Sequence, residues 1–325
     1  MTSARLPMVT THPLWSVTQV VGLVLTAVLL FALARWPDVS LHVLWDMIIP
    51  LLPAVFLVNP LLWRNVCPLA TLNTIGGSRR ATPILLASQR SVAGVVGIVL
   101  LALMVPARRF LFNEHGMALA VTIAAVAALA LVAGYLAPRR SGFCNSLCPV
   151  LPVEKLYGQS PLLALGSARC GDCARCTPVG CIDLVGRRSA VQSVEGVRGE
   201  QWLLSPFGAF ACAFPGFVIG YFTTVNGAGA TALGTYGHVG LWSIGSLGLM
   251  AAIVRVTHVR ASRMLLILGA LSAGVYYWFA APKLANAFGG GAAWAIGVRS
   301  LALGLVGFWL WRGVQRQWRP WPQGT

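Results

Sequence analysis

Long apolar runs alternate with short basic connections along this chain. Charge-free stretches recur at about residues 14–34, 91–107, 117–137, 238–254 and 264–282. Each is close to the roughly 20 residues that a helix needs to cross a bilayer. Three further runs are less regular. Residues 47–62 carry Pro50, Pro53 and Pro60, which remove backbone donors and should kink that span or end it in the loop around Cys67. Residues 206–225 begin at Pro206 and hold Cys212 and Pro215, and residues 291–311 hold Arg299 one to two turns inside their start. The pattern predicts an all-α integral membrane protein of about eight transmembrane helices. Residues 1–137 would form helices 1–4 as a duplicated hairpin with a Cys-Pro loop at 63–90. Residues 138–205 would form a loop between helices 4 and 5, and 206–325 helices 5–8 with a basic tail.

Lysine and arginine in short loops are retained on the cytoplasmic side. With both termini inside, 19 of the 24 basic residues fall in inner loops, Arg35, Arg108, Arg109 and Lys283 fall outside, and Arg299 lies within a span. The expected location is therefore a bacterial inner (cytoplasmic) membrane, N-in and C-in, with the cysteine loops cytoplasmic. The first apolar run is span-length and lacks the small-residue cleavage site of a signal peptide.

Composition agrees. Of 325 residues 57% are hydrophobic and only 10% charged, far from the roughly 25% charged of soluble domains. The net charge of +16 follows largely from the inner loops. Arg169, Arg175, Arg187 and Arg188 nevertheless crowd one cysteine-rich run, where they would steer an acidic soluble electron carrier. No basic stripe accompanies a recognition module, which excludes nucleic acid as a partner. No Walker loop, dinucleotide fingerprint, nucleophile elbow or zinc-protease helix is present, so bond-making catalysis has no visible machinery.

The chemistry lies in eight cysteines. Cys170, Cys173, Cys176 and Cys181 form one run, whose first three members step by C-x2-C-x2-C. That spacing suits the corner of a cubane cluster, whereas zinc sites separate two C-x2-C knuckles by a longer loop. Cys144-x3-Cys148-Pro149 follows the fourth span, and Trp63-x3-Cys67-Pro68 follows the second with Trp63 in the place of Cys144. Cysteine followed by proline has the character of a ligand to a neighbouring cluster in two-cluster ferredoxins. Disulfides are not expected in a reducing compartment. Two accounts stay open: one [4Fe-4S] cluster on Cys170, Cys173, Cys176 and Cys181, or two clusters that also use Cys144, Cys148 and Cys67. The second is preferred, because a Cys-x3-Cys-Pro corner has little structural purpose alone. Cys212 reads as a small core hydrophobe, with a ligand role left open.

At Cys144, Cys148 and Pro149, the half motif Cys67-Pro68, and the run Cys170 to Cys181, the chain resembles the membrane-bound polyferredoxins of the NapH, NosR and CcoG type, over about residues 14–190. The resemblance implies electron transfer through cysteine-bound clusters between a cytoplasmic donor or acceptor and a membrane or extracytoplasmic redox subunit, or a quinone. It departs at Trp63, in having one ferredoxin run where these proteins often have two, in lacking a long flavin-carrying outer segment, and in its C-terminal spans. Alternatives are a copper reductase or assembly factor of the CcoG kind, with Cys144 and Cys148 receiving copper, and a zinc-stabilised scaffold or transporter subunit. Few intramembrane carboxylates speak against the transporter, since Asp46 and Glu114 lie only at interfaces.

Other features weigh less. His12, His42, His115, His238 and His258 lie near the two faces without the spacing of a haem pair, and read as interfacial imidazoles; a haem or quinone contact stays open. Arg299 either lines a polar cavity or snorkels to the outer face. Trp36, Trp45, Trp202, Trp311 and Trp318 read as interface belts, and the glycine-rich patches at 226–239 and 289–291 as turns. The charge pattern predicts that a fluorescent protein fused to the C-terminus of bacterially expressed chain lights up, and that alkaline phosphatase fused after residue 115 is active. The reverse pair of results would invert the topology.

Overall fold

The structure, a computed structural model, describes residues 13–75, 87–137, 142–166, 181–195 and 199–318, which are almost wholly helical and contain no strand. In chain order the α-helices are α1 (Pro13–Arg35), α2 (Pro37–His42), α3 (Ile49–Val58), α4 (Pro60–Val66), α5 (Pro68–Ile75), α6 (Ala87–Ala107) and α7 (Gly116–Leu136). They continue with α8 (Leu151–Tyr157), α9 (Ile182–Gln192), α10 (Pro206–Thr223), α11 (Ala232–Thr257), α12 (Ala261–Ala287) and α13 (Ala292–Trp318). Among the described residues eight segments are long and apolar enough to cross a membrane: 14–35, 37–58, 91–112, 116–136, 206–223, 232–257, 261–287 and 292–316. The spans α10 and α12 lie at the centre, each with 61% of its apolar window buried. α1 and α13 bury only 11% and leave the rest as an apolar outer surface suited to lipid.

Three boundaries differ from the sequence expectation. The second span starts at Pro37, ten residues early, because it turns directly out of α1 and its polar residues pair locally, His42 Nδ1 lying 2.9 Å from Asp46 Oδ2. It ends at Val58, since Asn59 turns to extended backbone (φ −171°) and its side chain accepts from the Leu61 N–H at 2.8 Å, capping α4. Of the glycine-rich patch at 226–239, only the first residues form a turn. From Ala232 the chain is α11, capped by Thr231, whose hydroxyl accepts from the Gly234 N–H. Glycines here serve close packing. In the Gly216-x3-Gly220 face of α10, a Cβ at Gly220 would stand 2.9 Å from the Val239 Cα of α11. Trp202 is also corrected: it is buried in the main core rather than placed in an interface belt.

Two spans contain a π-helical turn, Val43–Ile48 between α2 and α3 and Arg108–Phe112 after α6. Prolines further interrupt the second span, and the bundle repairs the damage. Tyr277 of α12 inserts its hydroxyl into the helix, accepting from the Ala54 N–H at 2.6 Å and donating to the Pro50 carbonyl at 3.1 Å. Without water at this depth, both backbone groups would otherwise go unsatisfied. Tyr277→Phe should therefore lower thermal stability in detergent by about 1–3 kcal/mol. An unchanged melting temperature would mean that the inserted hydroxyl is dispensable.

Candidate functional site: a buried arginine fork beneath the Cys-Pro loops

The two Cys-Pro corners meet. Asn59 and Pro60 start α4, which delivers Arg64, and Cys67-Pro68 joins α4 to α5. The loop at 142–150 follows α7 and delivers Cys144, Asn145 and Cys148 before α8. Its position depends on tight approaches: Gly142 packs against the Ala133 carbonyl of α7, and a Cβ at Gly97 of α6 would stand 3.1 Å from the Cys148 carbonyl. Cys67 and Cys144 are buried in one cluster with Ala70, Ala130, Ala133 and Phe143, with Cys148 and Trp63 packed against it. Cys181 caps the start of α9, and its Sγ lies 3.6 Å from Asn145 Nδ2 and 3.9 Å from Asp183 Oδ2.

Beneath these thiols the Arg64 guanidinium uses all five of its donors. Nε and Nη2 form a fork on Asp183 at 3.1 and 2.8 Å, and Nη1 donates to Glu154 Oε2 at 2.7 Å and to the Cys144 carbonyl at 3.3 Å. Nη2 also donates to Asn145 Oδ1 at 2.7 Å. The Arg64, Glu154 and Asp183 side chains are at most 3% exposed. Burial acts against the guanidinium charge, but Asp183 and then Glu154 outweigh it and hold the Arg64 pKa well above its ordinary value. Arg64 thus ties α4, the 142–150 loop, α8 and α9 into one unit. Loop 158–166 is fastened to the bundle as well. Asn59 Nδ2 donates to the Leu163 carbonyl at 2.9 Å, Arg312 Nη1 to that of Leu162 at 2.6 Å and Gln159 Nε2 to that of Leu265 at 2.9 Å.

Burial holds the thiols in their neutral form rather than as exposed nucleophiles. Burial, reinforced by the negative charge of Glu154, pushes the Cys67 thiol up to about 11. Burial, Glu154 and the neighbouring Cys144 and Cys67 raise that of Cys148 well above its ordinary value. Such sulfurs become thiolates where a metal's charge compensates them. No disulfide joins Cys67, Cys144, Cys148, Cys181 or Cys212. Among the described residues no group of three or more His, Cys, Asp or Glu side chains closes into a metal site by itself. Cys170, Cys173 and Cys176 lie outside the described residues. Sulfur donors of this kind are compatible with a thiolate-bound metal, and the described residues alone do not make a metal site.

Cys212 sits apart from this cluster, in the apolar core near Phe210 and Phe214. The histidines serve local contacts: His238 Nε2 is 2.9 Å from Thr223 Oγ1 and His258 Nδ1 is 3.1 Å from Glu200. His115 is exposed, and His12 lies outside the described residues. The Arg299 guanidinium stacks 4.6 Å from the Trp278 ring centroid. Arg64, Glu154 and Asp183 belong to no motif in the sequence. Their signal was scarcity, since two of only eight acidic residues flank Cys148-Pro149 and Cys181.

Arg64→Met should leave two buried carboxylates uncompensated and cost about 3–5 kcal/mol of stability, with Arg64→Lys recovering only part because an ammonium cannot fork onto Asp183. Thermal unfolding in detergent checks this, and equal melting temperatures for Arg64→Met and the parent would refute it. No family model, curated protein or solved structure matches the chain, so its chemistry is argued from these residues.

Proposed function

We propose that the chain is a membrane-integral iron–sulfur electron-transfer protein of the polyferredoxin kind that its cysteine motifs resemble. It would relay electrons between a soluble carrier at the basic loops and a membrane partner, either an extracytoplasmic redox subunit or a quinone. The observation that carries this reading is the gathering of Cys67, Cys144 and Cys148, with Cys181 tied to them through Asn145, from segments far apart in sequence. Thiols drawn towards one another from separate connections, with no disulfide among them, support a thiolate-bound centre completed by residues outside the described part.

Cys170, Cys173, Cys176 and Cys181 would hold one cluster, and Cys144, Cys148 and Cys67 would serve a second. When bound, [4Fe-4S] clusters supply one-electron storage at a potential set by burial, charge and hydrogen bonds to sulfur. The protein's own part is positioning. Arg64 holds the Cys144 carbonyl, Asn145 and Asp183 in one register, and the Asn145 amide approaches the Cys181 sulfur. Apolar packing around Cys67 and Cys144 excludes water. Arg187 and Arg188 are exposed at α9, which supports docking of an acidic carrier beside the thiols.

Protein purified without oxygen should carry four or eight irons with equal acid-labile sulfide, and Cys173→Ala or Cys176→Ala should remove the reduced EPR signal of the cluster held by the Cys170–Cys181 run. Stoichiometric zinc without sulfide would reject electron transfer in favour of a structural zinc centre. Copper reduction lost in Cys144→Ala would instead mark a metal reductase.

A further inference from the structure

Two cavities share a wall at the end of the bundle opposite the cysteines. An apolar one of about 280 Å³ runs from that wall between the spans as far as Val153 and Tyr157 of α8, lined by Phe56, Leu101, Phe217 and Phe222 among others. A polar vestibule of about 610 Å³ adjoins it. Trp45, Arg108 and Lys283 line both, and Arg109 lines the vestibule.

The charge at this junction is unbalanced. Arg109 is only 4% exposed, and among the described residues it meets no carboxylate. Its Nη2 donates to the Tyr221 carbonyl at 2.6 Å, its guanidinium lies over the Tyr221 ring at 4.3 Å, and its Nε has no acceptor. Lys283 likewise makes no ion pair among the described residues, and its Nζ lies 5.5 Å from the Phe222 ring centroid. Arg108 donates to Asn113 Oδ1 and the Tyr221 hydroxyl and reaches Asp46 only at 3.6 Å, a carboxylate that His42 already engages at 2.9 Å. Three cations thus face one shared acid. Asp38 and Glu114 also line the vestibule but, like Lys283, are exposed to solvent, where screening weakens them, so the deficit is sharpest at the buried Arg109. The buried indole N–H of Trp45 is a further donor without an acceptor. A buried cation so poorly compensated is costly, and orphan donors beside it mark a missing anionic acceptor.

We propose that this junction binds an anionic phospholipid, its phosphate held by Arg108, Arg109, Lys283 and the Trp45 indole and one acyl chain laid in the apolar cavity. A free phosphate would satisfy the cations but leave the adjoining cavity unfilled. A neutral lipid or quinone would fill the cavity and leave the charge uncompensated. Trp45, Arg108 and Arg109 are also the residues that the two π-helical turns present, and such turns frequently mark functional sites. The inference does not rest on the iron–sulfur reading.

The test uses the full chain in mixed micelles, with phosphatidylglycerol brominated on its acyl chains as a tryptophan quencher. Titration should give a saturable quenching phase that is missing in Trp45→Phe, and Lys283→Gln, at an exposed position that folding tolerates, should weaken it roughly tenfold. Native mass spectrometry should show one retained phosphatidylglycerol that phosphatidylcholine does not replace. The proposal is overturned if brominated phosphatidylcholine gives the same phase, if Lys283→Gln leaves the affinity unchanged, or if millimolar inorganic phosphate displaces the lipid completely. It is also overturned if a neutral quinone displaces the lipid.

Discussion

A guanidinium with every donor satisfied, buried among two carboxylates, holds the cysteine end of this protein in shape. Arg64 comes from a short helix after the second span, Glu154 from one after the fourth, and Asp183 from the first turn of a third. None of these helices exceeds eleven residues, too few to be stable alone in water. They are ordered because charges that cannot return to solvent must find one another. The neighbouring thiols inherit their spacing from that requirement, so the geometry of the sulfur cluster depends on an ion-pair network that contains no sulfur.

The membrane part obeys a second constraint, that no backbone polar group be left bare in the apolar interior. The proline-rich second span breaks this rule locally, and Tyr277 restores it from another helix. Close approach of α10 and α11 through Gly216 and Gly220 shows the complementary strategy, in which missing side chains let backbones pack. Prolines at the breaks Asn59-Pro60 and Cys67-Pro68 divide the following chain into the short helices α4 and α5, which carry Arg64 and Cys67 and pack against α1 and α7.

The eight apolar segments were legible because each holds an apolar run near bilayer length with few or no charges. The early start of the second span was not. His42 and Asp46 read as interfacial groups, whereas they pair with each other on the helix. Nor were the π-helical turns legible, since the energy that holds them comes from tertiary contacts rather than local propensity. At the cysteine end the ligand candidates could be named from spacing, but not the arginine that aligns them, because an ion pair between residues 64 and 183 leaves no local period. Trp202 misled for a related reason: an indole near a span end looks alike whether it meets lipid headgroups or a protein core.

The π-helical turns carry one more consequence. Each widens its helix by a single residue, so everything beyond it is rotated by about 100° relative to an uninterrupted α-helix. Excising one codon from either turn would restore a regular helix with hardly any change in overall hydropathy. It would nevertheless swing Trp45, or Arg108 with Arg109, off the wall they share. The recess is therefore a property of helical phase, and two homologous chains alike in every apolar run could differ in having it.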